Sequence, residues 1–127
     1  MTDEEKKNLG ENYIRAYNDF DVEEMLSNLH DEIIFKNISS GETTLELTGI
    51  EAFRKQAQQV VGFFAEREQK IENIVFSENG CEIDISYKAK FAADLPNGLK
   101  AGDEINLKGK SIFSFADGKI SEIHDIS

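Results

Sequence analysis

The 127-residue chain reads as an α+β domain in which helices pack against one face of a curved antiparallel sheet. Three observations predict this class. Helix-capping spacings occur three times, all in the first half of the chain. The second half changes to alternation of apolar and polar residues. Short glycine-containing turns join the alternating segments into hairpins.

The capping spacings are Thr2 with Glu5, Asp21 with Glu24, and Thr48 with Glu51. At each, the cap side chain and the acid three residues on can satisfy backbone N–H groups that a helix start leaves unpaired. After the first, Leu9, Tyr13, Tyr17 and Phe20 fall on one stripe with Ile14 beside it. The second helix, through Met25, Leu26 and Leu29, is short. After the third, Ile50, Phe53, Ala57, Val60, Val61 and Phe64 recur at helical spacing. All three stripes predict core packing.

Strands are expected around Ile33–Ile38 and Thr44–Thr48, joined by "SSGE". "CEIDISYKAKF" then sends Cys81, Ile83, Ile85, Tyr87, Ala89 and Phe91 to one face, and "EINLKGKSIFSF" does the same with Ile105, Leu107, Gly109, Ser111, Phe113 and Phe115. "ENG" at 78–80 and "ADG" at 116–118 are hairpin turns. "DLPNGLKAGDE", with the only proline, is a longer loop. Absence of a linker or repeat makes residues 1–127 one domain.

Composition narrows the function. Twenty-five acidic against 14 basic residues give a formal charge of −11, which repels nucleic acid phosphates and anionic membrane surfaces. No apolar run approaches the roughly 20 residues that span a bilayer. The single cysteine, Cys81, has no internal partner, and the polar start "MTDEEKKNLGEN" is unlike a secretory signal, so a reducing, cytoplasmic setting is expected. Neither a metal nor another cofactor is expected: two distant histidines offer no ligand cluster of ordinary spacing, and the glycine turns do not match a phosphate loop.

A sheet curled over helices forms a cone whose mouth can hold a small molecule, so polar residues on inward faces are the candidates. Ser111 lies in the apolar row of its strand. In "IIFKNI", Lys36 reads as outward, which sends Ile33, Phe35 and Asn37 inward. Tyr13 and Tyr17 carry hydroxyls on a buried stripe. The closing "GKISEIHDIS" leaves two readings open: Ile120 and Ile126 turn His124 inward by alternation, whereas Ile123 turns Asp125 inward.

The layout resembles the nuclear transport factor 2-like superfamily, and within it the branch of SnoaL polyketide cyclases and ketosteroid isomerases. "NYIRAYNDFDVEEMLSNLHDEIIFKN" is similar to the family's opening helices and first strand, "LTGIEAFRKQ" to its glycine and third helix, and "DGKISEIHDIS" to its closing strand. The resemblance implies a cone-shaped fold with three N-terminal helices on a curved mixed or antiparallel sheet, and a homodimer through the sheet's outer face. Tyr13 matches the isomerase tyrosine that binds the developing oxyanion. Asn37 stands where the isomerase base would be, and Ser111 where its second oxyanion donor would be, so steroid isomerisation by that mechanism is disfavoured. In the SnoaL-like pattern Glu122 and Asp125 match, with His124 in the place of an aromatic, which implies that Asp125 faces the pocket.

The expectation that follows is a small apolar or carbonyl-containing ligand held by Asn37, Ser111, Tyr17, Phe35, Phe113 and Ile123. Asp125 and Tyr13 would be catalytic in a cofactor-free isomerase, cyclase or hydro-lyase. The alternative is a non-catalytic, dimeric ligand-binding module.

Overall fold

The computed structural model describes residues 1–127 and has three helices and six strands. In chain order these are α1 (Asp3–Asn18), α2 (Val22–Ser27), β1 (Leu29–Ser39), β2 (Glu42–Thr48), α3 (Ile50–Val61), β3 (Phe64–Phe76), β4 (Gly80–Phe91), β5 (Glu104–Ala116) and β6 (Lys119–Ile126). One six-stranded sheet runs β2-β1-β6-β5-β4-β3. Every neighbouring pair is antiparallel except β1 and β6, which run parallel. The sheet is therefore mixed, one of the two forms the resemblance allowed, and not wholly antiparallel as the alternation and hairpins alone suggested. No helix is long and apolar enough to cross a membrane.

Local chemistry explains most of the boundaries. At Thr2 both arms of the capping box form. At Asp21 only one does: its carboxylate accepts from the Glu24 N–H, while the Glu24 side chain accepts from Asn12 instead. The third expected box is absent. Thr48 remains in β2, paired with Ile34, and Gly49 at φ +92° turns the chain into α3 with no side-chain cap. A strand-paired threonine cannot also be the helix cap, and a positive φ suits glycine. Phe64, expected at the end of the third helical stripe, instead opens β3 and stacks on Phe91 with ring centroids 5.1 Å apart. β1 and β2 also start earlier than expected, at Leu29 and Glu42.

Two hairpin turns have consecutive residues at positive φ, Ser40–Gly41 and Asp117–Gly118. These are the backbone states that let a two-residue turn follow the twist of its strands. The core lies between the helices and the concave face of the sheet. Tyr13, Ile14, Met25, Leu26 and Phe53 meet Ile33, Ile83, Phe113, Ile120 and Ile123 there. Lys6 of α1 is also buried, with Nζ donating to the carbonyls of Ser77 and Glu78 at 2.6 and 2.8 Å. It ties the start of α1 to the β3–β4 turn. Cys81 is buried beside it, and desolvation pushes its thiol up to about 11, so it is a core group rather than a nucleophile.

Gly80 gives a stability prediction. A Cβ there would meet the Phe113 carbonyl oxygen at 2.3 Å, which is backbone and cannot rotate away. Gly80→Ala should force β4 off β5 and cost about 1–3 kcal/mol. Urea denaturation read by circular dichroism measures this, and an unchanged midpoint would show that the ladder yields without cost.

Candidate functional site

The inward faces of β1, β6 and β5 bring three polar side chains abreast. Asn37 pairs across the parallel ladder with Asp125, and Asp125 pairs across the antiparallel ladder with Ser111. Ser111 Oγ donates to Asp125 Oδ1 at 2.6 Å. Asn37 Nδ2 is occupied by Thr44 Oγ1 on β2 at 3.0 Å. All three line a cavity of about 460 Å³ between the sheet and the helices.

A bulge decides which of His124 and Asp125 faces in. The β5–β6 pairing passes from Ser114–Glu122 to Phe115–Ile120, so Ser121 has no partner on β5. One extra residue resets the alternation. Ile120 and Ile123 are consequently both fully buried despite their odd spacing, and Asp125 follows Ile123 inward. His124 lies on the other face, against Glu122 at 2.5 Å.

Fourteen of the 24 lining residues are hydrophobic, and this apolar wall sets the electrostatics. Desolvation raises the Asp125 carboxyl from 3.8 to about 6, against smaller opposing effects of the Ser111 hydrogen bond and the charge of His124. Asp125 is thus poised near neutrality. Tyr13 is held well above the ordinary phenol range by burial and then by the nearby Asp125 charge. Its ring packs edge-on to Phe113 at 5.8 Å, and the residue lines the cavity. The Tyr17 and Tyr87 hydroxyls share a hydrogen bond at 2.8 Å, with both phenols raised by burial.

Of the expected site residues, Asp125, Tyr13, Asn37, Ser111, Tyr17 and Phe35 line the cavity. Phe113 and Ile123 do not. They are 1% and 0% exposed and belong to the core; α1 covers Phe113 closely at Gly10, where a Cβ would touch it at 3.4 Å. Leu107, 47% exposed on β5, also lines the cavity.

One charged wall residue, Arg67 on β3, was not among the expectations. It is 7% exposed, its Nε donates to the Tyr17 carbonyl at 2.8 Å, and its guanidinium lies 3.7 Å from the centroid of the Tyr17 ring. Gln69, two residues on, lines the same cavity. A signal for both exists in "REQKI": counting back from Ile71 by twos turns Gln69 and Arg67 to the apolar face.

Residues 11–123 match the model of the SnoaL-like domain. The fold is similar to that of a proposed polyketide cyclase from Xanthomonas campestris pv. campestris, with a TM-score of 0.85 at 16% identity over 98% of this chain and 90% of that one. It is also similar to IdmH of Streptomyces antibioticus, a proposed polyketide cyclase, with a TM-score of 0.78 at 13% identity over 95% and 90% of the two chains. AclR of Streptomyces galilaeus, a proposed hydroxylase, superposes with a TM-score of 0.77 at 17% identity over 98% and 89%. No curated protein sequence matches the chain. At these identities the structural likeness concerns the fold alone.

Proposed function

Because the chain belongs to the SnoaL-like domain family, we propose that residues 1–127 form one catalytic domain that binds a small, largely apolar carbonyl compound and moves a proton at the carbon beside the carbonyl. The reaction type is cofactor-free isomerisation, cyclisation or dehydration. The observation that carries this reading is a carboxyl raised to about 6 on the wall of an apolar cavity of about 460 Å³. At neutral pH such a group is largely ionised and still basic enough to take a proton.

In this reading Asp125 is the base. Ser111 holds Oδ1, which leaves Oδ2 to receive the proton. Tyr13, kept protonated by burial, donates to the oxygen that gains charge as the enolate forms. Asn37 and Ser111 hold the polar end of the cavity, Tyr17 and Phe35 hold the ligand's apolar body, and Phe113 and Ile123 belong to the core. The description of two structural relatives as proposed polyketide cyclases is consistent with the reaction class. We also propose a homodimer through the outer face, where Ile112, Glu122 and His124 are half-buried, and a reducing, cytoplasmic setting suited to the unbridged Cys81.

The test is a thermal-shift screen of small apolar ketones and keto acids, followed by NMR of deuterium uptake beside the carbonyl of each ligand that binds. Binding at a hundredfold excess over Kd stabilises the native state by about 2.7 kcal/mol. Stabilisation with uptake that depends on Asp125 supports the proposal. Stabilisation without uptake identifies a non-catalytic binding module.

A further inference from the structure

Arg67 is the feature of the cavity that proton transfer by Asp125 leaves unused. A guanidinium offers five N–H donors and is always charged. Arg67 uses one of them, through Nε, on the Tyr17 carbonyl at the end of α1, an oxygen that also accepts from the Phe20 N–H. Its other N–H groups form no further hydrogen bond of ordinary geometry, and the Tyr17 hydroxyl beside them contributes only a weak one. Neither Nη is sealed from solvent, and the residue forms part of the cavity wall.

No carboxylate compensates the charge, although the chain has 25 acidic residues. Arg54, Lys110, Lys36 and Lys6 each have an acidic partner; Arg67 has only aromatic faces, those of Tyr17, Phe20 and Phe64, at 3.7, 4.6 and 5.7 Å. The acid that shares the cavity, Asp125, is hydrogen-bonded to Ser111 instead and forms no ion pair with Arg67. These rings hold the guanidinium in place without neutralising its charge. A guanidinium only 7% exposed, with most of its fork unpaired, is better satisfied by an anion than by the little solvent that reaches it.

We infer that Arg67 receives a carboxylate of the ligand. This rests on the reading of the cavity as a carbonyl-binding site and narrows the substrate class to small aromatic or aliphatic keto acids. The acid group docks in the fork of Arg67 with Gln69 beside it, and the ketone extends past the tyrosines toward Asp125. A planar, two-oxygen anion suits the fork better than a single point of negative charge. The strand order agrees with this polarity, because β3 and β1–β6 lie on opposite sides of the sheet, with β4 and β5 between them.

The experiment compares 4-oxo-4-phenylbutanoic acid with its primary amide. The two have the same ketone, methylene groups and ring, and differ only in the anion. Titration calorimetry on the wild type should give the acid a Kd roughly 10- to 100-fold lower than the amide. That preference should vanish in Arg67→Gln and be partly retained in Arg67→Lys, which keeps the charge without the fork. Thermal melts of both variants establish that they are folded, and Arg67→Lys carries the test should Arg67→Gln not fold. Equal affinity for acid and amide in the wild type, or no binding of the acid at millimolar concentration, overturns the inference. So does an acid preference that survives Arg67→Gln. Deuterium uptake at the methylene beside the ketone, read on the same samples, reports separately on Asp125. Uptake without acid preference would leave the catalytic reading standing and remove Arg67; acid preference without uptake would do the reverse.

Discussion

Asp125→Asn should lower the rate of deuterium uptake beside a bound ketone by roughly 10²- to 10⁴-fold, the range that a positioned general base contributes, while leaving ligand affinity within a few-fold of wild type. The separation of rate from affinity follows from the site. Cavity volume, apolar wall and Arg67 are unchanged by the substitution, and an amide fills nearly the same space, with its oxygen still able to accept from Ser111 Oγ. What is lost is the oxygen that takes the proton. The wild-type rate should rise with pH through about 6 and then level off, following ionisation of Asp125. A profile flat from pH 4 to 8, or uptake that persists in Asp125→Asn, would remove Asp125 from the reaction.

Tyr13→Phe provides the companion measurement. The ring keeps its packing on Phe113 and Phe53, so loss of the hydroxyl should act on charge stabilisation alone. A drop of roughly 10²-fold is the scale for one oxyanion donor. Its pH profile should keep the inflection near 6, because the residue that titrates there is still present. The two variants thus separate a base, whose removal abolishes the profile, from a donor, whose removal only scales it.

Particular residues show how much of this was legible beforehand. The Thr2 cap, the short helix after Asp21 and the alternation along β4 are local patterns in which side-chain chemistry and backbone period agree, and each forms as read. Thr48 was misleading because the capping-box spacing is also compatible with a strand end, and pairing with Ile34 takes precedence over capping. In the closing strand the contradiction between Ile120 and Ile123 was itself the trace of the bulge at Ser121. A period-2 reading can detect that an alternation breaks without locating the extra residue. The resemblance to SnoaL-like proteins implied an inward Asp125 that alternation alone left open. Arg67 was hidden for a different reason. In "FAEREQKI" both faces of the strand carry polar residues, so no hydrophobic contrast marks the inward one. Counting back from Ile71 gives the face on which Arg67 lies, but only the packing of β3 against the end of α1 shows that the charge there is buried.

Asp125→Asn should also stabilise the protein, by up to about 3 kcal/mol above pH 6. In the folded state desolvation raises this carboxyl from 3.8 to about 6. Between those values the native state therefore binds a proton that the unfolded chain has released, and stability falls as pH rises through the interval. Above about 6 the whole cost is present, and at 1.36 kcal/mol per pH unit it comes to about 3 kcal/mol. The groups around Asp125 do not disturb the sign. Ser111 and Asn37 do not titrate, Tyr13 and Tyr17 stay protonated throughout the interval, and the positive charge of His124 opposes the shift without cancelling it. The other acidic residues titrate alike in both proteins and cancel in the difference. Urea denaturation of wild type and variant from pH 3.5 to 8 should give curves that coincide below about pH 4 and separate, with the variant the more stable, as pH passes 6. A difference that does not change with pH would show that Asp125 is not strained in the cavity. The predicted combination, a variant more stable and less active, is what a carboxylate held at a functional site against its solvation preference requires.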